Sequence, residues 1–275
     1  MDIPFWKMQG AGNDFILLNN MELGLSDQAL KNVTKHVCQK RLSLGSDAVI
    51  AVDSPQKTGD IRMRFFNADG TEAEMCGNGV RCLARYAYEK KFVSDSMQIE
   101  TMAGLVAAWR LEKRLYKVAL NSPYQVKQTI RYGYDGIETV DYCELGNPGV
   151  PHLVVSYPKL ATTPLEDLVE IARRLRFWEQ LPKGANVNFY QLMPSGEVLI
   201  RTYERGVEGF TYACGTGAGA TAYFLHRKRE ISQNPITLST RGGILQIEMT
   251  DNHLFLIGET TIVAKGVICD ENLRI

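Results

Sequence analysis

The chain has 275 residues, 45% of them hydrophobic and 23% charged, and its 31 Lys+Arg balance 31 Asp+Glu to a formal net charge of zero. This is a globular composition with core material for one large domain or two ordinary ones, and it excludes the basic face of a nucleic-acid binder. No apolar run approaches the ~18 residues of a membrane span, no basic amphipathic stretch points to a membrane surface, and Met1–Gly10 lacks the build of a signal peptide, so the expected location is cytoplasmic.

Taken in chain order, Ser26 is a good N-cap for a helix running to Arg41. Alternation of apolar and polar residues predicts a half-buried strand over Ile61–Phe66 and another over Gln98–Thr101. Between them a helical run extends from Val80 to Lys91. Asn121-Ser122-Pro123 breaks the pattern and sets a domain boundary near Leu120–Tyr124. Thr163-Pro164-Leu165-Glu166 reads as a capping box with Pro at the first helical position, opening a helix to about Trp178. Alternation returns at Val198–Tyr203, Ile244–Met249 and Leu254–Ile257, and a second helical run covers Ala218–Arg229.

Two of these segments repeat. Cys76, in Met75-Cys76-Gly77-Asn78-Gly79, lies nine residues after Asn67, and Cys214, in Ala213-Cys214-Gly215-Thr216-Gly217, lies ten residues after Glu204. Each copy reads strand, polar loop, thiol, Gly-x-Gly turn, helix. A thiol at a helix start faces unpaired N–H groups and the positive end of the helix dipole, which favours thiolate. Two matched thiols fit a reaction with two equivalent sides: a proton leaves one face of a carbon and another returns to the opposite face. The six cysteines, Cys38, Cys76, Cys82, Cys143, Cys214 and Cys269, are widely spread, which predicts thiols rather than disulfides, and their spacing fits no zinc site.

The motifs run nearly end to end: Lys7-Met-Gln-Gly-Ala-Gly-Asn13-Asp14-Phe15, Phe66-Asn67-Ala-Asp-Gly70 leading into Met75-Cys76-Gly77-Asn78-Gly79-Val-Arg81-Cys82, Gly149-Val-Pro-His152, Ala185-Asn186-Val-Asn-Phe189, and Tyr203-Glu204-Arg205-Gly206 leading into Ala213-Cys214-Gly215-Thr216-Gly217. In this order they resemble the pyridoxal-phosphate-independent amino-acid racemases and epimerases, most closely the diaminopimelate epimerase family. The resemblance implies an α+β fold of two similar pseudo-repeat domains, each a mostly antiparallel, barrel-like sheet around a central helix, with the active site in the cleft between them. The first domain would be residues 1–120, completed by a C-terminal strand over 263–275, and the second 121–262. Also implied are cofactor-independent conversion of L,L-diaminopimelate to the meso form, on the way to lysine and peptidoglycan, and a homodimer.

The same resemblance assigns roles. Cys76 and Cys214 would stand on opposite faces of the α-carbon, Cys214 deprotonating the L,L substrate and Cys76 serving the protonation. Backbone N–H groups of Gly77, Asn78, Gly215 and Thr216 would hold the substrate carboxylate, whose negative charge grows as the proton leaves. Glu204 and Asn13 would hold the reacting ammonium, with His152 and Glu204 orienting the thiols. Asn67, Asn186 and Arg205 would hold the distal end, where a guanidinium offers paired donors to a carboxylate. Other readings of the same residues stand beside these: Asn13-Asp14 and Asn67–Gly70 as turns, His152 as a structural histidine, Glu204-Arg205 as a solvated pair. Cys38, Cys82, Cys143, Cys269, His36, His226 and His253 are expected to pack or lie on the surface.

Three positions depart from the family pattern, each placing an apolar residue where a polar one is usual: Ala48 for glutamine, Val150 for asparagine and Phe210 for glutamate. They keep open a racemase of glutamate, lysine or histidine with the same mechanism. A thiol–disulfide switch and a non-catalytic amino-acid-binding module are rivals from other classes. Neither calls for two cysteines and two carboxylate-binding turns together.

Overall fold

The computed structural model describes residues 2–146, 149–251, 253–269 and 273. The chain divides into two compact units, Met1–Val118 with Gly258–Ile275, and Ala119–Ile257. The first unit opens on a hairpin of β1 (Ile3–Gly10) and β2 (Asn13–Asn19), turned through Ala11 and Gly12 at φ 52° and 86°. Positive φ at both turn positions matches the twist of the flanking strands. After α1 (Asn20–Leu23) and α2 (Asp27–Val37), β3 (Ala48–Asp53) runs parallel to β2, and β4 (Ile61–Asn67) returns antiparallel. The two-residue β5 (Glu72–Ala73) and α3 (Gly77–Glu89) follow; β6 (Ser96–Thr101) then lies parallel to β4, and β7 (Gly104–Arg110) and β8 (Leu115–Leu120) continue as antiparallel neighbours.

The second unit repeats this order. β9 (Pro123–Tyr134) pairs with β10 (Ile137–Gly146), and β10 with β11 (Gly149–Ser156). α4 (Leu165–Arg176) leads to β12 (Asn186–Leu192), parallel to β11, and β13 (Val198–Glu204) is antiparallel to β12. Then come β14 (Gly209–Phe210), α5 (Gly215–Arg227), β15 (Ile236–Thr240) parallel to β13, β16 (Gly243–Thr250) and β17 (His253–Glu259). The segment β1 to β7 thus matches β10 to β16 in order and strand sense. The final strand, β18 (Thr261–Ile268), pairs antiparallel with β1. Of the expected strand 263–275, residues 270–272, 274 and 275 lie outside the described residues.

Two kinds of helix serve this architecture. α3 and α5 are buried nearly all round, from Gly77 to Ala87 and from Gly215 to Leu225. Small and apolar residues on nearly every face make α5 a core element, whereas α3 buries Asn78, Arg81 and Arg85 along with its apolar residues. α2 and α4 instead bury one stripe each. Leu30, Val33 and Val37 pack with Ile16, Val49 and Phe66 in the first unit, and Leu168, Ala172 and Leu175 with Val187, Phe189 and Tyr203 in the second. Among the described residues no helix is long and apolar enough to cross a membrane.

Four helices have boundaries that differ from expectation. The Gly-x-Gly segments are not turns ahead of helices at Val80 and Ala218; they are the helices' first turns, and Cys76 and Cys214 are the N-caps. The predicted capping box at Thr163 does not form, because the Thr163 hydroxyl donates to the Lys159 carbonyl at 2.8 Å and Pro164 becomes the N-cap without a side-chain bond. The first long helix begins at the Ser26 cap, whose hydroxyl accepts from Ala29 N at 3.2 Å, but stops at Val37, where Gly45 N takes the Val37 carbonyl at 2.9 Å.

Candidate functional site

Each unit carries one cysteine at the head of its buried helix, in nearly the same conformation: φ −132°, ψ 119° at Cys76 and φ −122°, ψ 112° at Cys214. An extended N-cap leaves the first-turn N–H groups pointing past it, where an anion is favoured. The helices match to their ends, with Lys90 and Lys228 as C-caps and left-handed Lys91 and Arg229 just beyond, at φ 61° and 58°.

In the first unit, Asn78 sits one residue into α3 and is almost wholly buried. Its Nδ2 donates to Asn13 Oδ1 at 2.7 Å, joining the helix start to the first residue of β2. Asn13 Nδ2 in turn reaches Asp47 Oδ2 at 3.4 Å, and Asp14 pairs with Lys7 at 2.9 Å. Beneath them Arg81 is fully buried. Its Nη2 donates to Asn78 Oδ1 at 2.9 Å, while among the described residues no carboxylate pairs with it and its Nε has no hydrogen-bond partner. Burial pulls this guanidinium down to about 10, offset in part by the nearby Cys82 and Cys76 sulfurs, and leaves it cationic at neutral pH. Asn67, at the end of β4, is exposed. Its Nδ2 donates to Thr71 Oγ1 at 3.0 Å within the turn closed by Gly70 N on the Asn67 carbonyl.

In the second unit, Cys214 Sγ accepts from Gly217 N at 3.4 Å and lies 3.5 Å from Thr216 Oγ1. Glu204, at the end of β13 where β4 has Asn67, takes the Thr211 hydroxyl at 2.6 Å and a further hydrogen bond from Cys214. Burial pushes its carboxyl up, and those two hydrogen bonds oppose the shift. Asn186 Oδ1 accepts from Arg205 N at 2.8 Å, so these two residues meet, and Arg205 Nη1 donates to the Lys183 carbonyl at 3.2 Å. His152 is fully buried on β11. Burial, together with the Arg205 charge, drives its imidazole down to about 3, and its Nε2 has no partner among the described residues.

Sequence reasoning missed the residues beneath the candidate set. Arg81 belongs to the first cysteine motif, where its position implies no role. Asn188, Thr202 and Thr211 were not singled out, yet Asn188 is fully buried beside His152. The signal was present: Asn186 and Asn188 alternate on a strand whose core face is otherwise apolar, and buried polar groups need partners. The three departures lie in different settings. Ala48 is buried on β3 opposite Asn67, and Val150 lies on β11 opposite Leu145. Phe210 packs edge-on against Tyr203, ring centroids 5.5 Å apart, so an apolar contact stands where the family pattern has a carboxylate.

Burial pushes the thiols of Cys38, Cys82 and Cys143 up to about 12, as befits packing residues. Among the described residues no group of three His, Cys, Asp or Glu side chains is arranged to hold a metal.

Known proteins share this architecture and sequence. The diaminopimelate epimerase family profile matches residues 5–124 and 145–263. A diaminopimelate epimerase from Aquifex aeolicus is 36% identical over 289 aligned residues, covering 99% of this chain and all of its own. One from Archaeoglobus fulgidus is 34% identical, covering all of this chain and 99% of its own. Among solved structures, a hydroxyproline epimerase from Agrobacterium vitis superposes with TM-score 0.71 over 97% of this chain and 91% of its own at 14% identity. A phenazine biosynthesis protein of the PhzF family from Enterococcus faecalis reaches the same score over 97% and 99% at 16% identity. At such identities these two show a shared two-domain α+β fold. Matched along both halves, and more than 30% identical to relatives over nearly their whole length, this chain belongs to the diaminopimelate epimerase family.

Proposed function

We infer that the protein is an isomerase that epimerises L,L-diaminopimelate to the meso form without a cofactor, in the cytoplasm and as a homodimer, supplying lysine and peptidoglycan precursors. The family match across both halves carries the reading, since it includes both cysteine-headed helices.

The α-proton of a free amino acid is a very weak acid, so the reaction needs a positioned base and stabilisation of the charge that develops on the carboxylate side. Cys76 and Cys214 act as the two acid/base groups, one thiolate taking the proton and the other thiol supplying one, with roles exchanged in the reverse direction. The N–H groups of Gly77, Asn78, Gly215 and Thr216 receive the carboxylate. Glu204 and Asn13 take the ammonium; Glu204 already holds a hydrogen bond from Cys214, which supports its second role of orienting that thiol. Asn67, Asn186 and Arg205 receive the distal carboxylate.

The apolar side chains at Ala48 and Val150 favour a second reading, a racemase of another amino acid with the same two-thiol chemistry. One measurement separates them: reduced protein is incubated in deuterium oxide with L,L-diaminopimelate, or singly with glutamate, lysine and histidine, and the α-proton is followed by NMR. Exchange and inversion of diaminopimelate alone are expected. Preference for another amino acid replaces the substrate, and no exchange with any of them overturns the enzymatic reading.

A further inference from the structure

A row of polar side chains crosses three adjacent strands of the second unit: His152 on β11, Asn188 on β12 and Thr202 on β13, all buried. Asn188 is the middle member and is fixed from three sides. Its Nδ2 donates to the Leu153 carbonyl at 2.8 Å and lies 3.3 Å from His152 Nδ1, and its Oδ1 accepts from Thr202 Oγ1 at 3.0 Å. A backbone carbonyl can only accept, so the amide atom facing Leu153 is the NH2 group. The reversed amide would set two oxygens against each other at that distance. The second hydrogen of the same nitrogen then points to His152 Nδ1, which must accept it.

We propose that Asn188 is a positioning residue that locks His152 as the Nε2–H tautomer, so that this histidine meets its reacting partner as a hydrogen-bond donor. The imidazole is neutral at pH 7, because it is fully buried and the charge bearing on it is the cation of Arg205. With Nδ1 engaged as acceptor, its one proton resides on Nε2, the atom without a partner among the described residues. A buried donor without a partner carries a desolvation cost that a ligand atom relieves. Nε2–H therefore stabilises an anion, a thiolate or the substrate carboxylate. It does not take a proton from a thiol, since that nitrogen has no lone pair to offer. This deepens the reading of His152 as a site residue and rests on it, whereas the tautomer itself is independent of activity.

The test is an NMR spectrum of protein labelled with 15N-histidine at pH 7. The long-range couplings of each ring report its tautomer, and loss of one of the four histidine patterns in His152→Gln assigns the signal. Wild type is expected to show Nε2–H at His152. In Asn188→Asp a carboxylate oxygen accepts from Nδ1, so the proton moves there, and kcat for α-proton exchange falls by about tenfold or more with KM less affected. Asn188→Ala, which removes the lock without adding a charge, gives a mixture of tautomers. Nδ1–H or imidazolium in the wild type overturns the proposal, as does unchanged Nε2–H in both variants, or full kcat in a variant whose proton has moved. Nε2–H in a wild-type protein that exchanges no amino acid would keep the lock and remove the enzymatic reading instead.

Discussion

Arg81 donates from Nη2 to Asn78 Oδ1 at 2.9 Å, one helical turn apart in α3, and this bond decides which way the Asn78 amide faces. With Oδ1 turned down to the guanidinium, Nδ2 turns up to Asn13 Oδ1 at 2.7 Å. Asn13 is thereby obliged to turn its own NH2 to the Asp47 side chain, and the second lone pair of its Oδ1 is the acceptor a ligand ammonium can use. The buried cation, five residues beyond Cys76 in the chain, interacts with that sulfur and adds to the helix dipole there.

Asn78→Ala strands Arg81 Nη2 and Asn13 Oδ1 together. An unsatisfied buried group costs about 1–3 kcal/mol, more when charged, so a loss of roughly 2–3 kcal/mol in urea unfolding is expected. Adding Arg81→Met removes the stranded charge and recovers at least half of that loss, because a buried ion without its partner is worse than an apolar side chain of similar size. Strictly additive losses in the two variants would show that the Arg81–Asn78 bond does not carry this energy.

How much of this could be read from the residues varies by level. The strand–thiol–helix repeat was legible because strand alternation and the small-residue helices are local patterns. The helix starts were not: Gly77 and Gly79 look like turn residues by propensity, yet burial inside the unit holds them in the first turn, a tertiary effect outweighing a local preference. The capping box at Thr163 failed for a related reason, since its hydroxyl found the Lys159 carbonyl first. Asn188 and Arg81 could be flagged only as polar residues on core faces. The partners of Asn188 lie on other strands, and that of Arg81 lies in the first turn of a helix expected to begin only at Val80, outside the helical spacing the residues predicted.

Cys76→Ala and Cys214→Ala are each expected to abolish inversion of diaminopimelate, with losses of roughly 10²–10⁴-fold or more, the range for removing a positioned acid or base. The fold should persist. Cys214 Sγ holds Gly217 N only at 3.4 Å, a weak bond to a sulfur acceptor, and far-ultraviolet circular dichroism checks it. Full turnover by either variant would rule out the two-thiol scheme.

His152 links stability to pH with a definite sign. Its folded imidazole is driven down to about 3, below the unfolded value of ~6.5. Between those values the unfolded chain binds the extra proton, so stability rises with pH. The contribution is complete above about 6.5 and is lost as pH falls toward 3. Glu204, its carboxyl pushed up by burial, has the opposite slope: acid favours the folded state. Replacing His152 by Gln keeps an acceptor for Asn188 and removes the titration. Urea midpoints at pH 7 and pH 4.5 should therefore converge in His152→Gln relative to wild type, with Glu204→Gln as the control of opposite sign. Parallel acid limbs in wild type and His152→Gln would refute this assignment.

Gly217 is the third residue of α5, and its missing side chain has a reason in the neighbouring strand. A Cβ built there would overlap Asn188 Oδ1 and sit 3.2 Å from Asn188 Cγ and 3.3 Å from Cys214 Cβ. A flexible side chain could step aside, but Asn188 is pinned to Leu153, His152 and Thr202. Gly217→Ala must therefore displace the helix start or break that row, at about 1–3 kcal/mol, the usual cost of overpacking a filled core. The helix propensity of alanine over glycine, about 1 kcal/mol, works the other way. Asn188→Ala separates the two effects: with the amide gone the overlap disappears, and Gly217→Ala in that background should become neutral or stabilising. The double-mutant cycle then gives a coupling of about 1–3 kcal/mol. A coupling near zero would mean that the first turn of α5 yields to the extra methyl without disturbing Asn188.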